Sequence, residues 1–423
     1  MNRTIIITGG GTAGHIMPNL ALLPLLEKEY DKIYYLGSKN SMEERIIKDY
    51  KNITFIDIPT TKLVRKLTFK NLLIPFKLAN SICKTKKIIK KIKPDVIFCK
   101  GGFVSVPVAI AGKMCKIPVI AHESDFSMGL ANKIILKFAQ TVCTTFEDTA
   151  LLSKKCVCTG TPIREQIFKG QKEKVLNKFN YAPQKPVVLF FGGSLGSKNI
   201  NNLVEASLNL LLEKYNVVHL TGKGNKIDLS KIAKNGYVTN SLNNNLHCDT
   251  NKNLQSSDNS SNYNKKRKES KKMYLSDVSA LNVNSPNHPR TLQASDNLND
   301  MNNVNYYQTE FTNNIEDFFA SADIVVCRGG ANSLFELLAL NKPMLIIPLS
   351  KAESRGDQLE NAEYFKKKGW AEVLQEEDMT PKTLIDKLNY IIKNKNNYNK
   401  ARKLANTDSN KQIVDIIIKA SKK

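Results

Sequence analysis

The sequence predicts an α/β protein built from two Rossmann-like, doubly wound parallel sheets. Three observations predict it. Short strand-like runs, several apolar throughout, alternate with helical patterns in both halves of the chain, as expected for parallel strands buried on both faces. A strand runs into a glycine-rich turn and then a helix three times: at Gly9-Gly10-Gly11-Thr12-Ala13-Gly14-His15, at Gly192-Gly193-Ser194-Leu195-Gly196-Ser197, and at Arg328-Gly329-Gly330-Ala331. The 423 residues also exceed one typical core.

In the first half the strands read 4–8, 32–37, 53–58, 95–99, 117–121, 140–144 and 156–159. Glycines in the first turn let backbone N–H groups approach a bound oxygen-rich group, and the following helix adds its partial positive end. Gly9, Gly11 and Gly14 match G-x-G-x-x-G, but the dinucleotide fingerprint also wants an acid at the end of the second strand. That strand ends in Gly37-Ser38, so the fingerprint is incomplete. The loop adds His15, whose ordinary pKa lies near working pH. It is a candidate base, or a helix-start histidine bonded to the backbone. Ligands in such sheets sit beyond the carboxyl ends of the strands. Three polar clusters fall there and should share one cleft: Gly9 to His15, Lys100-Gly101-Gly102, and His122-Glu123-Ser124-Asp125.

Residues 62–93 carry eleven Lys or Arg and no acid, interleaved with Leu63, Leu67, Phe69, Leu72 and Phe76. This pattern fits an interfacial contact with an anionic membrane, and equally a solvated face on a lysine-rich protein. The first domain is expected over 1–164, a linker over 165–185 and the second domain over 186–423. In the second, a helix is expected over 198–213, and Ser at its start with free N–H groups suits a diphosphate. Glu336 stands among Leu334, Phe335, Leu337 and Leu338, so it needs a polar partner if buried. A ribose diol or a neighbouring Lys or Arg would serve.

Residues 236–306, about a quarter Asn with few large apolar side chains, read as a disordered insertion. Structure is expected to resume at 307–311, 343–348, 356–368, 370–374 and 380–394, with a last helix near 397–420. The formal charge of +24 invites nucleic acid, an anionic membrane or a phosphorylated substrate. The chain shows no nucleic-acid recognition motif or stacking platform, so nucleic acid is not an expected partner. Eight scattered cysteines without a C-x-x-C pair read as reduced thiols in a cytosolic protein, not disulfides or a zinc site. No apolar run reaches the ~18 residues a spanning helix needs, and the first strand begins at once without a signal peptide, so a soluble or peripheral protein is expected.

TGGGTAGHIMPNLAL, KPDVIFCKGGFVSVPVAIAG, IPVIAHESD, GLANK, GTPIRE, FFGGSLGSKNIN, CRGGANSLFELLAL and SRGDQLENAEYF together resemble the MurG family of N-acetylglucosaminyltransferases, over both domains and outside the Asn-rich stretch. The resemblance implies a GT-B fold, two domains facing across a cleft. It implies an inverting, metal-independent transfer from UDP-N-acetylglucosamine to the 4-hydroxyl of the N-acetylmuramoyl unit of undecaprenyl-linked lipid I. Peptidoglycan synthesis at the cytoplasmic face of the cell membrane follows, with no cofactor and no tightly bound metal. Thr12, Ala13 and Gly14 resemble positions near the donor sugar; Arg164 and Ser194 resemble diphosphate contacts; Glu336 resembles the ribose contact. Asp357 and Gln358 resemble residues that grip the sugar hydroxyls, and Asn361 lies one helical turn beyond Asp357. Asp125 stands at a donor-contact position where many relatives carry Asn. His15 is the expected base, with Glu123 and Asp125 as the alternatives. Other readings are another GT-B enzyme, such as a glycolipid galactosyltransferase or a UDP-sugar epimerase, and a non-catalytic nucleotide-binding membrane protein.

Overall fold

Seven parallel strands make the first sheet: β1 (Thr4–Thr8), β2 (Lys32–Gly37), β3 (Ile53–Asp57), β4 (Val96–Cys99), β5 (Val119–Glu123), β6 (Thr141–Thr144) and β7 (Cys156–Cys158). Their spatial order is β3-β2-β1-β4-β5-β6-β7. Six more make the second: β8 (Val187–Phe191), β9 (Asn216–Leu220), β10 (Tyr306–Thr309), β11 (Ile324–Cys327), β12 (Met344–Ile346) and β13 (Glu372–Val373). Their order is β10-β9-β8-β11-β12-β13. The computed structural model describes residues 3–60, 74–193, 196–228, 305–351, 356–398 and 408–422. Ser194, residues 62–73 and the expected insertion, except its last two positions, lie outside the described residues.

Both sheets follow one rule. Strand order reverses between β1 and β4 in the first and between β8 and β11 in the second, and a crevice opens beyond the carboxyl ends at such a point. The glycine turns follow these four strands. A Cβ on Gly102, after β4, would collide with the Gly10 carbonyl after β1, so the two turns touch only because residue 102 is glycine.

The first sheet buries Ile5, Ile7, Val96, Phe98 and Ile120 on one face and Ile6, Ile97, Val119 and Ala121 on the other. That double burial explains why these strands lack polar alternation. The second core gathers Leu189, Phe191, Val325, Leu334, Leu337 and Phe365, and it also takes in Phe146 of the first half. Phe146 packs edge-on against Phe335 (5.3 Å) and Tyr364 (4.9 Å), so the halves meet through an aromatic seam.

The structure corrects three expectations of extent. β5 runs to Glu123 rather than stopping at 121, because His122 and Glu123 continue the ladder opposite Cys143 and Thr144 although hydropathy has already turned polar. β10 starts at Tyr306, inside the expected insertion. The last helix is Ser409–Ser421, preceded by a short helix Lys395–Tyr398. Its Ile413, Val414, Ile417 and Ala420 enter the first-half core with Ile5 and Leu22, so this segment of the expected second domain packs on the first. No described helix is long and apolar enough to cross a membrane.

Candidate active site

The first glycine turn is held from beneath. The Tyr35 hydroxyl donates to the Gly9 carbonyl, and the buried Glu43 carboxylate accepts from Gly11 N (3.3 Å) and Ser38 N (3.1 Å). Helix Ala13–Glu29 follows directly, with Thr12 as its N-cap. His15 Nδ1 lies 3.1 Å from the Gly10 carbonyl and 3.1 Å from Thr12 Oγ1. A carbonyl oxygen only accepts, so Nδ1 carries the hydrogen and Nε2 is the basic nitrogen of the neutral ring.

A cleft of about 920 Å³ opens above this turn. Its walls include Gly10, Gly11, Thr12 and His15, then Glu123, Asp125 and Asn132, and from the second half Leu349, Asp357 and Gln358. The three polar clusters that the sequence groups together therefore do meet, contributing Gly10, Gly11, Thr12 and His15, then Gly102, and Glu123 with Asp125. Ala13 and Gly14 do not line the cleft; the Gly14 carbonyl instead receives Asn332 Nδ2 from the second half at 3.0 Å.

The two carboxylates of β5 and its loop differ in kind. Glu123 is buried and accepts from Asp125 N (3.0 Å), Gly129 N (2.9 Å) and Asn132 Nδ2 (2.9 Å), so its oxygens fold the loop. Among the described residues Asp125 accepts one side-chain bond, from Asn361 Nδ2 at 3.1 Å. Burial, with the Glu123 charge beside it, pushes its carboxyl up to about 6. Asn361 is fully buried behind it, donating also to the Gly329 carbonyl and accepting from Phe126 N. Gln358 lines the cleft, but its Oε1 accepts from Gly329 N and Leu349 N.

Arg164 and Glu336 form a bidentate pair, Nε to Oε1 at 2.7 Å and Nη2 to Oε2 at 2.9 Å. Of the two partners open for Glu336 in the sequence, the structure supplies the arginine. Neither residue lines the 920 Å³ cleft. Burial works against the Arg164 charge, and the Glu336 carboxylate outweighs it, holding the guanidinium above its ordinary value.

Three further groups stand in the turns and clusters that the sequence marks, but the sequence gives none of them a role of its own. Arg328 donates to Ser197 Oγ (2.6 Å) and to the Ile347 carbonyl (3.1 Å) and pairs with Glu376 at 2.7 Å, bracing the turn after β8. Lys100 is fully buried, donates to Ser124 Oγ, and is pushed down to about 8 by burial. Burial, reinforced by the Lys100 charge, keeps His122 neutral, with Nε2 donating to the Gly160 carbonyl (2.9 Å). Among the described residues no group of three or more His, Cys, Asp or Glu is placed to hold a metal ion.

Comparison with known proteins follows this geometry. Residues 5–144 match the glycosyltransferase family 28 N-terminal domain, and residues 187–247 and 285–417 match the family 28 C-terminal domain. The chain is 40% identical over 422 residues to a protein of Clostridium botulinum (strain Alaska E43 / Type E3), covering 99% of this chain and 98% of that one. That protein is named UDP-N-acetylglucosamine--N-acetylmuramyl-(pentapeptide) pyrophosphoryl-undecaprenol N-acetylglucosamine transferase, as is a Clostridium tetani protein at 38% identity over 99% of this chain and 98% of its own. Among solved structures, Acinetobacter baumannii MurG superimposes with a TM-score of 0.66 at 22% identity, covering 99% of each chain. A UDP-GlcNAc 2-epimerase from Neisseria meningitidis, bound to UDP-GlcNAc, superimposes with a TM-score of 0.58 at 12% identity, covering 99% of this chain and all of that one. These last likenesses concern the fold alone.

Proposed function

The chain belongs to the MurG family of the family 28 glycosyltransferases, and we propose that it is an inverting hexosyltransferase moving N-acetylglucosamine from UDP-N-acetylglucosamine to the 4-hydroxyl of the N-acetylmuramoyl unit of lipid I. The observation that carries this reading is the cleft at which the first half's glycine turn, with His15, faces Asp357 and Gln358 of the second. A sugar held by the second half would present its anomeric carbon toward the first. The epimerase reading shares the fold but not the identity that runs along the whole chain.

The chemistry asks two things of the protein, a base for the attacking hydroxyl and stabilisation of the departing UDP. His15 Nε2 serves as the base: its partner nitrogen is fixed by the Gly10 carbonyl, so the ring keeps the productive tautomer. Asp125 is the alternative, with a carboxyl already drawn toward neutral pH. The helix N-termini at Lys198 and Ala331 neutralise the diphosphate and Ser194 adds a hydroxyl; Arg164 and Glu336, paired with each other outside the cleft, turn to the diphosphate and to the ribose hydroxyls when the donor opens that pair. Thr12 flanks the donor sugar, Ala13 and Gly14 support the turn behind it, and Asp357 and Gln358 hold the sugar hydroxyls. Asn361 holds the Asp125 loop from behind. The protein works as a peripheral enzyme at the cytoplasmic face of the membrane, docked through the basic, apolar stretch 62–93.

Radiolabel transfer from UDP-N-acetylglucosamine to a lipid I analogue tests the activity, and absence of turnover overturns it. On the same assay His15→Gln, which can orient a hydroxyl but cannot take its proton, should lower kcat by about 10²–10⁴-fold with donor affinity little changed. Wild-type turnover in His15→Gln would move the base to Asp125.

A further inference from the structure

The helix that carries His15 starts with a defect written in the sequence. Residue 18 is proline, four positions after Gly14, so the N–H that would close the α-helical bond to the Gly14 carbonyl does not exist. A carbonyl left unpaired there would weaken the one turn that sets the histidine. Its donor comes from the other half of the molecule: Asn332 Nδ2, in the first turn of helix Ala331–Ala339, lies 3.0 Å from Gly14 O.

The amide orientation of Asn332 is not arbitrary. Lys100 Nζ has only hydrogens to give, so Ser124 Oγ must accept from it and has its own proton left to donate. That proton goes to Asn332 Oδ1 (3.0 Å), which also accepts from Thr161 Oγ1 (3.1 Å). Two first-half hydroxyls thus claim the oxygen and turn the NH₂ toward Gly14. The buried lysine, which the transfer chemistry does not use, sets the polarity of the chain Lys100, Ser124, Asn332, Gly14. The contact is also close: a Cβ on Gly14 would come within 3.3 Å of Asn332 Nδ2.

We propose that Asn332 is a positioning residue for glycosyl transfer: it supplies across the cleft the hydrogen bond that Pro18 removes from the His15 helix, so the turn bearing His15 is fully set only while the two halves are in contact. Glu336 lies four residues further along the same helix, so the element that holds the Arg164–Glu336 pair also holds the base turn. Residues four apart share a face of a helix, so donor engagement at one turn and placement of His15 at the turn before it are mechanically joined. This rests on the reading of His15 as the base.

The experiment measures kcat and donor KM for Asn332→Ala, Asn332→Asp, Pro18→Ala and the Pro18→Ala/Asn332→Ala pair, with UDP affinity by calorimetry. Asn332→Ala should lower kcat about tenfold or more, since small misplacements of a catalytic group cost that order, while donor KM and UDP affinity stay within about threefold. Asn332→Asp, the same shape with an oxygen facing the Gly14 carbonyl, should be at least as damaged, and it serves if the alanine variant folds poorly. Pro18→Ala restores an N–H to the helix, so the double variant should recover most of the kcat lost in Asn332→Ala. Simple interface glue would not be rescued in this way. Wild-type kcat in both Asn332 variants, a parallel loss of UDP affinity, or a folded double variant with no recovery would each overturn the proposal. In a His15→Gln background Asn332→Ala should cost nothing further. If His15→Gln itself turns over normally, the base reading falls, while the Pro18 rescue still decides whether Asn332 sets this turn.

Discussion

Asp125 shows how one side chain records the tension in the cleft. Its carboxyl is raised from the ordinary 3.8 to about 6, by burial first and by the Glu123 charge second. The folded state therefore binds this proton more tightly than the unfolded chain. The sign follows: wild-type stability falls as pH rises from about 4 to about 6 and the folded carboxyl is made to ionise. Asp125→Asn removes that charge, so its advantage over wild type should be small at pH 4 and on the order of 1–3 kcal/mol above pH 6. Urea midpoints of both proteins at pH 4.5 and 7 check this, and a difference independent of pH would sink it. The site was unevenly legible in the sequence. His15, Glu123 and Asp125 stand at strand ends where the fold puts ligands, so position alone singled them out. Asn332 gave no such signal, because the consequence of Pro18 appears only once a second domain is docked on the first. Glu336 was legible as a buried acid in need of a partner, but not which partner; that required the reach of Arg164 across 172 positions of sequence.

At the scale of elements, periodicity located the strands because both faces of each sheet are apolar, and it failed where a strand end turns polar, as at His122 and Glu123. Helix Ile74–Ile92 is the described part of the basic stretch. It buries Ser81, Thr85 and Ile89 and leaves Phe76 73% exposed, with Lys77, Lys84, Lys87 and Lys91 also outward. A large exposed aromatic among cations suits a lipid interface better than a merely solvated face. Each cation near an anionic surface contributes about 1 kcal/mol and is screened by salt. Replacing the four lysines by Gln should therefore weaken sedimentation with anionic vesicles, more so at low ionic strength, while turnover on a short-chain soluble acceptor survives. Vesicle binding that ignores both the substitutions and the salt would assign the face to solvent.

At the scale of the molecule, the two sheets were legible from the repeated strand, glycine turn and helix, but the ownership of the last helix was not. Its apolar stripe fits either half; what decides is a set of polar bonds no pattern reveals. Asn410 clamps the backbone of Ile163, accepting from its N–H (2.9 Å) and donating to its carbonyl (2.7 Å), and Arg3 and Tyr30 both donate to Ser421 Oγ (2.7 and 3.1 Å). Ile413, Val414 and Ile417 are almost wholly buried there, each contributing roughly 1.5–3 kcal/mol. Their sum approaches the total stability of a typical domain. Ending the chain before Asp408 should therefore unfold the first half or lower its melting temperature by about ten degrees or more, at about 2–4 °C per kcal/mol for a domain of this size. A truncated protein that melts like the full chain would show that the helix only decorates the surface.

The same return of the chain sets a timetable for its synthesis. The seat for Ile413 and Ile417, formed around Ile5, Leu22 and Phe98, leaves the ribosome long before its cover does. With everything between Arg164 and Ser409 still to be translated at about 5–20 residues per second, the seat waits on the order of 10–50 s. For that interval the nascent protein carries an open apolar groove, long enough for a chaperone to find it or for two growing chains to find each other.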